Sequence, residues 1–457
     1  MKNIHPTVIF LWINLFLIFS CERFVDVDLP ASQLTGTKVF DDAATADAAM
    51  TDIYSKLRDT GMLTGLTGGL SVNLGMYADE LIYYGSDIQP GLPFTNNLEP
   101  ISNITASYWT DSYHQIYCCN AVIEGIEKSS ALSTAEKNKL IGEAVFIRAL
   151  LHFYLVNIYG NVPYISATDY DKNRRVERLP VDVVYTNIIS DLSNAALLLP
   201  EQYISAERVR PNKAAAYAVL SRAYLYQGKW AEAANSASAV LNSPLYRLDS
   251  IDLIFLKESY SSIWQFMPKR NGNNTDEGSI FIFNSGPPPT IALSSDLIHS
   301  FENGDLRRSN WIKTISNGSS IWYHSFKYKK NSNTASSSEY SIILRIAEQY
   351  LIRSEARARQ GDLIGAKEDL NKIRHSAGLA DTQAITSDEI ITAILNERRV
   401  EFFTEYGHRF FDLKRTGELD AVLENIKPGW SPTDSLWPIP EKELIANPFL
   451  KPQNPGY

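Results

Sequence analysis

One repeated spacing constrains the fold more than any other feature of this chain. Gly228, Ala233, Ala237 and Val240 recur as Gly361, Ala366, Leu370 and Ile373, each 133 residues later. Both glycines follow a glutamine and stand where a first helix must stop, since glycine turns out of a helix without steric cost. Both alanines fall where a second helix approaches the first and only a small side chain fits. Tyr217, Leu220, Ser221 and Tyr224 precede Gly228 at helical intervals. The pattern predicts two helix–turn–helix units that bury apolar faces by stacking.

More helices surround these units. Apolar residues recur at helical spacing over Asp42–Leu57, Ser107–Glu127 and Thr134–Ile158, the last stopped by Gly160 and Pro163. Two regions read differently. Thr60–Ser107 is rich in glycine and proline and reads as loop. From Asn242 to Tyr340 helical periodicity fades and turn signals multiply, among them Gly286-Pro-Pro-Pro289 and Asn317-Gly318. Ser279–Phe283 and Ile321–His324 read there as short strands. The fold expected is mainly α: a tetratricopeptide-like scaffold with a loop-rich, partly β insertion.

Composition narrows the function. The 457 residues carry a net charge of −9, and no basic run interrupts them. Nucleic-acid binding needs a basic footprint and is not expected. Three cysteines, two of them adjacent (Cys118 and Cys119), exclude a disulfide framework, and no zinc-type Cys spacing occurs. The adjacent pair reads as small core residues of a helix. Seven scattered histidines form no ligand motif, and no nucleophile elbow or phosphate loop is present. No cofactor is expected. Asn271–Gly278 is rich in oxygen donors but lacks calcium-loop spacing and reads as a turn.

The two ends carry signatures. Lys2 precedes a run from Val8 to Phe19 broken only by Asn14, too short for the ~20 residues of a membrane span and suited to a signal peptide. Ile18-Phe-Ser-Cys21 resembles a lipobox, so residues 1–20 are expected to be cleaved and Cys21 lipidated. Near the other end lies Asn396-Glu-Arg-Arg-Val-Glu-Phe-Phe-Thr-Glu-Tyr-Gly-His-Arg-Phe-Phe-Asp-Leu-Lys-Arg-Thr416. Glu397, Glu401 and Glu405 share one helix face, Ile394, Val400 and Phe403 pack from another, and Gly407 breaks the helix. Arg409, Asp412 and Arg415 follow. So much fixed arginine charge points to a buried ion-pair network.

That segment, the later Leu436-Trp-Pro-Ile-Pro-Glu441 and Asn447–Tyr457, the Cys21 opening and Tyr159-Gly-Asn-Val-Pro-Tyr164 together resemble the SusD/RagB family. The resemblance implies one SusD-like domain over residues 21–457, anchored by lipid in the outer membrane and exposed at the cell surface. It implies a non-catalytic lid that captures glycan and delivers it to a SusC-like TonB-dependent transporter. The helical half would face that barrel and the loops the ligand. Capture of peptide or another nutrient by the same lid is the alternative, and a glycoside hydrolase the remote one.

Sugars offer flat CH faces and rims of hydroxyls, so exposed aromatic rings beside polar groups are the candidates. Tyr83 and Tyr84 follow Asp79-Glu80, Asn96 follows Phe94, Trp311 follows Arg307 and Arg308, and Trp322 and Tyr323 lie in a strand-like run. Trp264 is expected in the core, and Trp230 falls on the turn of the first helix–turn–helix unit as a structural residue. Asp79 and Glu80 are the carboxylates to test for hydrolysis, which needs two of them ~5–9.5 Å apart.

Overall fold

A computed structural model of the chain describes residues 38–457. Residues 1–20 and Cys21 lie outside the described residues. Helix α1 (Ala43–Asp59) is capped by Asp42, whose carboxylate accepts from Ala44 N and Thr45 N at 3.1 Å. After it come α2 (Leu70–Tyr77), β1 (Leu81–Tyr83) and α3 (Ile88–Thr95). The long helices α4 (Asn103–Lys128) and α5 (Thr134–Tyr159), the single turn α6 (Tyr170–Asn173), α7 (Val181–Leu198), α8 (Lys213–Tyr226) and α9 (Trp230–Leu241) complete the first half. The insertion holds β2 (Ser262–Phe266), α10 (Asp276–Phe281), β3 (Ile291–Leu293), α11 (Ser295–His299), α12 (Leu306–Asn310), β4 (Ile312–Asn317), β5 (Ser320–Ser325) and β6 (Ser341–Arg345). The chain then returns to helices: α13 (Ile346–Arg359), α14 (Leu363–Ser376), α15 (Ser387–Glu401), α16 (His408–Thr416), α17 (Leu419–Leu423) and α18 (Glu441–Ala446).

The helices stack in an unbroken series. α4 packs on α5, α5 on α7, α7 on α8, α8 on α9, α9 on α13, and α13 on α14 and α15. The two repeated units are α8–α9 and α13–α14, and contact between α9 and α13 closes the sequence gap between them. Gly228 and Gly361 take φ of +67° and +86°, the left-handed turn that the spacing predicts. Ala233 and Ala366 are fully buried. The units are tied by Arg222, which grips the Glu348 carboxylate with bonds of 2.7 and 2.6 Å, and by Ser221, which donates to Gln349 at 2.7 Å.

Helix α5 is buried almost all round from Leu140 to Tyr159. It is long and apolar enough to cross a bilayer, yet its apolar stretch lies inside the protein, where a central core helix has no polar face to show. Trp264 sits against Phe146 and Tyr54 in this core, as expected. Cys118 and Cys119 are both free thiols within α4.

Among the described residues six strands form three antiparallel pairs, β1–β3, β2–β6 and β4–β5. Two expectations need correction. Thr60–Ser107 is not mainly loop: it holds α2, β1, α3 and the start of α4. Gly75 lies inside α2 because Leu81 and Glu80 pack on its bare backbone, and Pro90 sits in the first turn of α3, where no amide is needed. Ser279–Phe283 is not a strand. Thr275 caps α10 by accepting from Gly278 N at 3.1 Å, so the run begins as helix.

Candidate functional site

Two regions concentrate aromatic and charged side chains. The first surrounds α15 and α16, and here the charges face inward in pairs. Arg345 donates to Glu401 at 2.7 Å and Glu405 at 2.8 Å. Arg307 reaches Asp305, Glu397 and Glu401 within 2.9 Å. Lys327 donates to the carbonyls of Glu401 and Phe403 and contacts Glu405; burial pushes its pKa down to about 8. Arg398 and Arg415 clamp Asp412, and Arg415 holds Glu355 through two bonds of 2.7 Å. Burial alone would raise the Asp412 and Glu401 carboxyls, but the arginines outweigh it and hold both below their ordinary values. Gly407 breaks the chain between the two helices at φ +74°, and a Cβ there would lie 2.4 Å from Leu74.

Asp79 and Glu80 belong to this network and do not form an accessible catalytic pair. Arg399 and Arg409 both bond the Asp79 carboxylate at 2.8 Å. Glu80 points instead toward Thr404 N, and burial lifts its pKa to about 8. Both are buried, out of reach of a polymer. The Asn271–Gly278 loop uses its oxygens internally: Asn274 Oδ1 accepts from Ser338 N and Glu339 N. His152 is likewise structural, stacked on Tyr164 with ring centroids 3.9 Å apart and its pKa pushed down to about 3 by burial.

The second region lies on β1, β3 and the β4–β5 hairpin, with β3 packed against β5. Tyr83 pairs opposite Ile291, and the chain continues the ladder as Tyr84 N donates to Thr290 O at 2.7 Å. The Tyr83 ring is half-buried beneath two glycines; a Cβ at Gly85 would stand 2.3 Å from its hydroxyl. That hydroxyl donates to Asp87 O at 2.9 Å. Tyr84 is 41% exposed. Trp322, half-buried, pairs with Ile315 and lies against Gly286, where a Cβ would come within 2.0 Å of the indole. Only glycine allows that approach. Asn317 also donates to Gly286 O, at 3.4 Å. Tyr323, on the opposite face of the hairpin, carries the Arg308 guanidinium 5.1 Å from its centroid.

Two of the sequence candidates do not join this face. Trp311 is 1% exposed, its indole donates to Ile251 O at 3.1 Å, and Phe255 meets its ring edge-on at 5.3 Å. It is a core residue, because the residue that ends α12 starts β4 toward the interior. Asn96 is 5% exposed and its amide donates to Tyr77 O at 2.9 Å. At φ 52° it caps α3 in the left-handed region that asparagine tolerates. Sequence reasoning passed over Gly286, Gly85 and Arg308, which seat the rings. The available signal was a glycine before three prolines, which reads as a turn and not as a ring support.

Comparison with known proteins gives these regions a context. Residues 93–225 match a family described as "Starch-binding associating with outer membrane", and residues 269–457 match the SusD family. A SusD-like protein (P25) of Formosa agariphila is 24% identical, the match covering 95% of this chain and 96% of the relative. Among solved structures, a laminarin-binding SusD-like protein is 23% identical with a TM-score of 0.75, covering 91% of this chain and 99% of its own. Surface glycan-binding protein A from Bacteroides uniformis is 21% identical with a TM-score of 0.76, covering 90% and 99%. At such identities the structural likeness establishes the fold. The two matched segments span the first helical half and run from the insertion to the C-terminus, and on them the chain belongs to the SusD/RagB family.

Proposed function

We propose that this protein binds oligo- or polysaccharide at the face built by Trp322 and Tyr84, without turning it over, and delivers it to a SusC-like TonB-dependent outer-membrane transporter. The observation that carries the reading is the seating of Trp322 on Gly286, on a hairpin packed against the β1–β3 pair that ends in the exposed Tyr84. A ring seated against a glycine backbone is a preformed platform for the CH face of a sugar, so little ordering entropy is lost on binding. Tyr83 and Tyr323 brace this face. Asp87 and Asn317 supply hydrogen-bonding groups for the hydroxyl rim. A laminarin-binding relative and a surface glycan-binding relative share the fold, which supports a glycan as the ligand. Lipidation at Cys21 would hold the lid at the outer membrane, multiple acyl chains giving stable anchoring.

The test is calorimetric titration of soluble protein beginning after Cys21 with plant, host and microbial polysaccharides. The expected result is affinity of about micromolar to millimolar, or roughly −8 to −4 kcal/mol, weak enough to release the cargo. Silence across the panel alongside binding of peptides would replace the glycan with peptide.

A further inference from the structure

We infer that the cavity framed by α4, the Pro163–Val176 segment and α18 is a second saccharide-binding site, taking a neutral, hydroxyl-rich unit of the same polymer; this rests on the glycan reading above. The cavity holds about 480 Å³, within the range of small-ligand sites. It shares no residue with the Trp322 face.

Its chemistry is that of a sugar site. Trp109 and Tyr113 form the floor, their rings 4.9 Å apart and tilted by 49°. Tyr117 and Tyr170 rise at the edges, 50% and 76% exposed. Tyr117 and Tyr170 offer open ring faces to the hollow, and the Trp109–Tyr113 pair lines it more deeply. Glu443 lines the same space, and among the described residues no cation pairs with its carboxylate. Burial lifts that carboxyl, the Trp109 indole acting in the opposite sense. A half-buried acceptor without a cation is matched by neutral hydroxyl donors, two of which a carboxylate accepts at once. Arg174 on the rim and Arg178 close to Tyr113 disfavour a cationic occupant, and Asn173 adds an amide.

The walls are fixed before any ligand arrives. Tyr113 donates to Pro163 O at 2.8 Å, and Asn447 to Val176 O at 2.9 Å. Arg178 ties Asn161 O to Pro452 O with bonds of 2.7 and 2.6 Å. A preformed second site turns a weak lid into an avid one for a long chain, because the second contact is intramolecular.

The experiment titrates laminarin, mannan, xylan and galactan into wild-type protein, Tyr117→Ala/Tyr170→Ala, Glu443→Gln and Tyr84→Ala/Trp322→Ala. Both tyrosines are exposed, so folding is retained, as circular dichroism checks. The inference predicts that Tyr117→Ala/Tyr170→Ala weakens polymer binding by about tenfold or more. Tyr84→Ala/Trp322→Ala should keep residual binding that is lost when the two pairs are combined. Wild-type binding with Tyr117→Ala/Tyr170→Ala and Glu443→Gln unchanged overturns the second site and leaves the proposed function standing. Silence of the wild-type protein toward all four polymers overturns both.

Discussion

The α15–α16 region and the β1–β3–hairpin face are built from the same residue types, arginine, acid and aromatic ring, and do opposite work. Around α15, Arg307, Arg345 and Arg398 are buried with carboxylates on their donors. At the loop face Tyr84 is open to solvent and Trp322 half open. Aromatic rings serve both places: Phe402 lies under Arg345 and Arg398 as packing, whereas the half-buried Trp322 lies against the Gly286 backbone. Burial, and not residue type, separates scaffold from candidate site. The difference can be broken or sharpened by substitution on each side.

The largest effect belongs to the buried network. Arg345→Ala would take from Glu401 and Glu405 the buried cation that they share, and should cost about 3–5 kcal/mol. Urea unfolding measures it, and a loss below about 1 kcal/mol would remove the network from the account. Next is Trp322→Ala. Loss of a central anchor should weaken polysaccharide binding by about 2 kcal/mol, near thirtyfold, with unfolding free energy changed far less than by Arg345→Ala. Calorimetry and denaturation on one sample compare the two. Tyr84→Ala should weaken binding by only about threefold to tenfold and leave stability within about 0.5 kcal/mol, as befits an exposed ring. Asn96→Ala reverses that pairing: affinity stays at the wild-type value while stability falls by about 1 kcal/mol through the lost bond to Tyr77 O.

Protonation should separate the regions too. The Asp79, Glu401 and Asp412 carboxyls are held below their ordinary values of 3.8, 4.5 and 3.8. Their contribution is complete above those values and is lost as pH falls through the folded ones. Glu80 and Glu277 act in the other direction, raised by burial to about 8 and about 7. Between pH 4.5 and 7 these two carboxyls keep protons that the unfolded chain releases, so their share of stability declines as pH rises. The buried His152 and His408, lowered from 6.5, act in the opposite sense below that value. Relative to wild type, Glu80→Gln should gain stability as pH rises from about 5 to 7, because it removes the Glu80 share of the decline. Parallel profiles of the two proteins over that range would show that the Glu80 carboxyl is not desolvated.

Much of the scaffold was legible in the sequence because periodicity and glycine placement are local. Gly228 and Gly361 mark their turns by chemistry that does not depend on neighbours. Glu397 and Glu401 declare one helix face by spacing alone, whereas Glu405, expected on the same face, lies in the turn after α15 ends at Glu401; their partners Arg307, Arg345 and Lys327 come from the insertion and from β6. The candidate site was legible only in part. Tyr84 and Trp311 look equally suited to bind when read in sequence, and only the path of the chain buries one of them. α10 was hidden because its cap, Thr275, outweighs the alternating pattern after it. The cavity at Trp109 and Glu443 joins residues 334 positions apart, which no local pattern reports.

The most direct test of the account is a pair of measurements on Trp322→Ala and wild-type protein: calorimetric titration with a polysaccharide that the wild type binds, and urea unfolding of the same samples. The account predicts binding weakened by about thirtyfold, the equivalent of ~2 kcal/mol, with a folded and cooperative protein. Unchanged affinity in a folded variant would contradict it and remove the Gly286-seated indole from the ligand site.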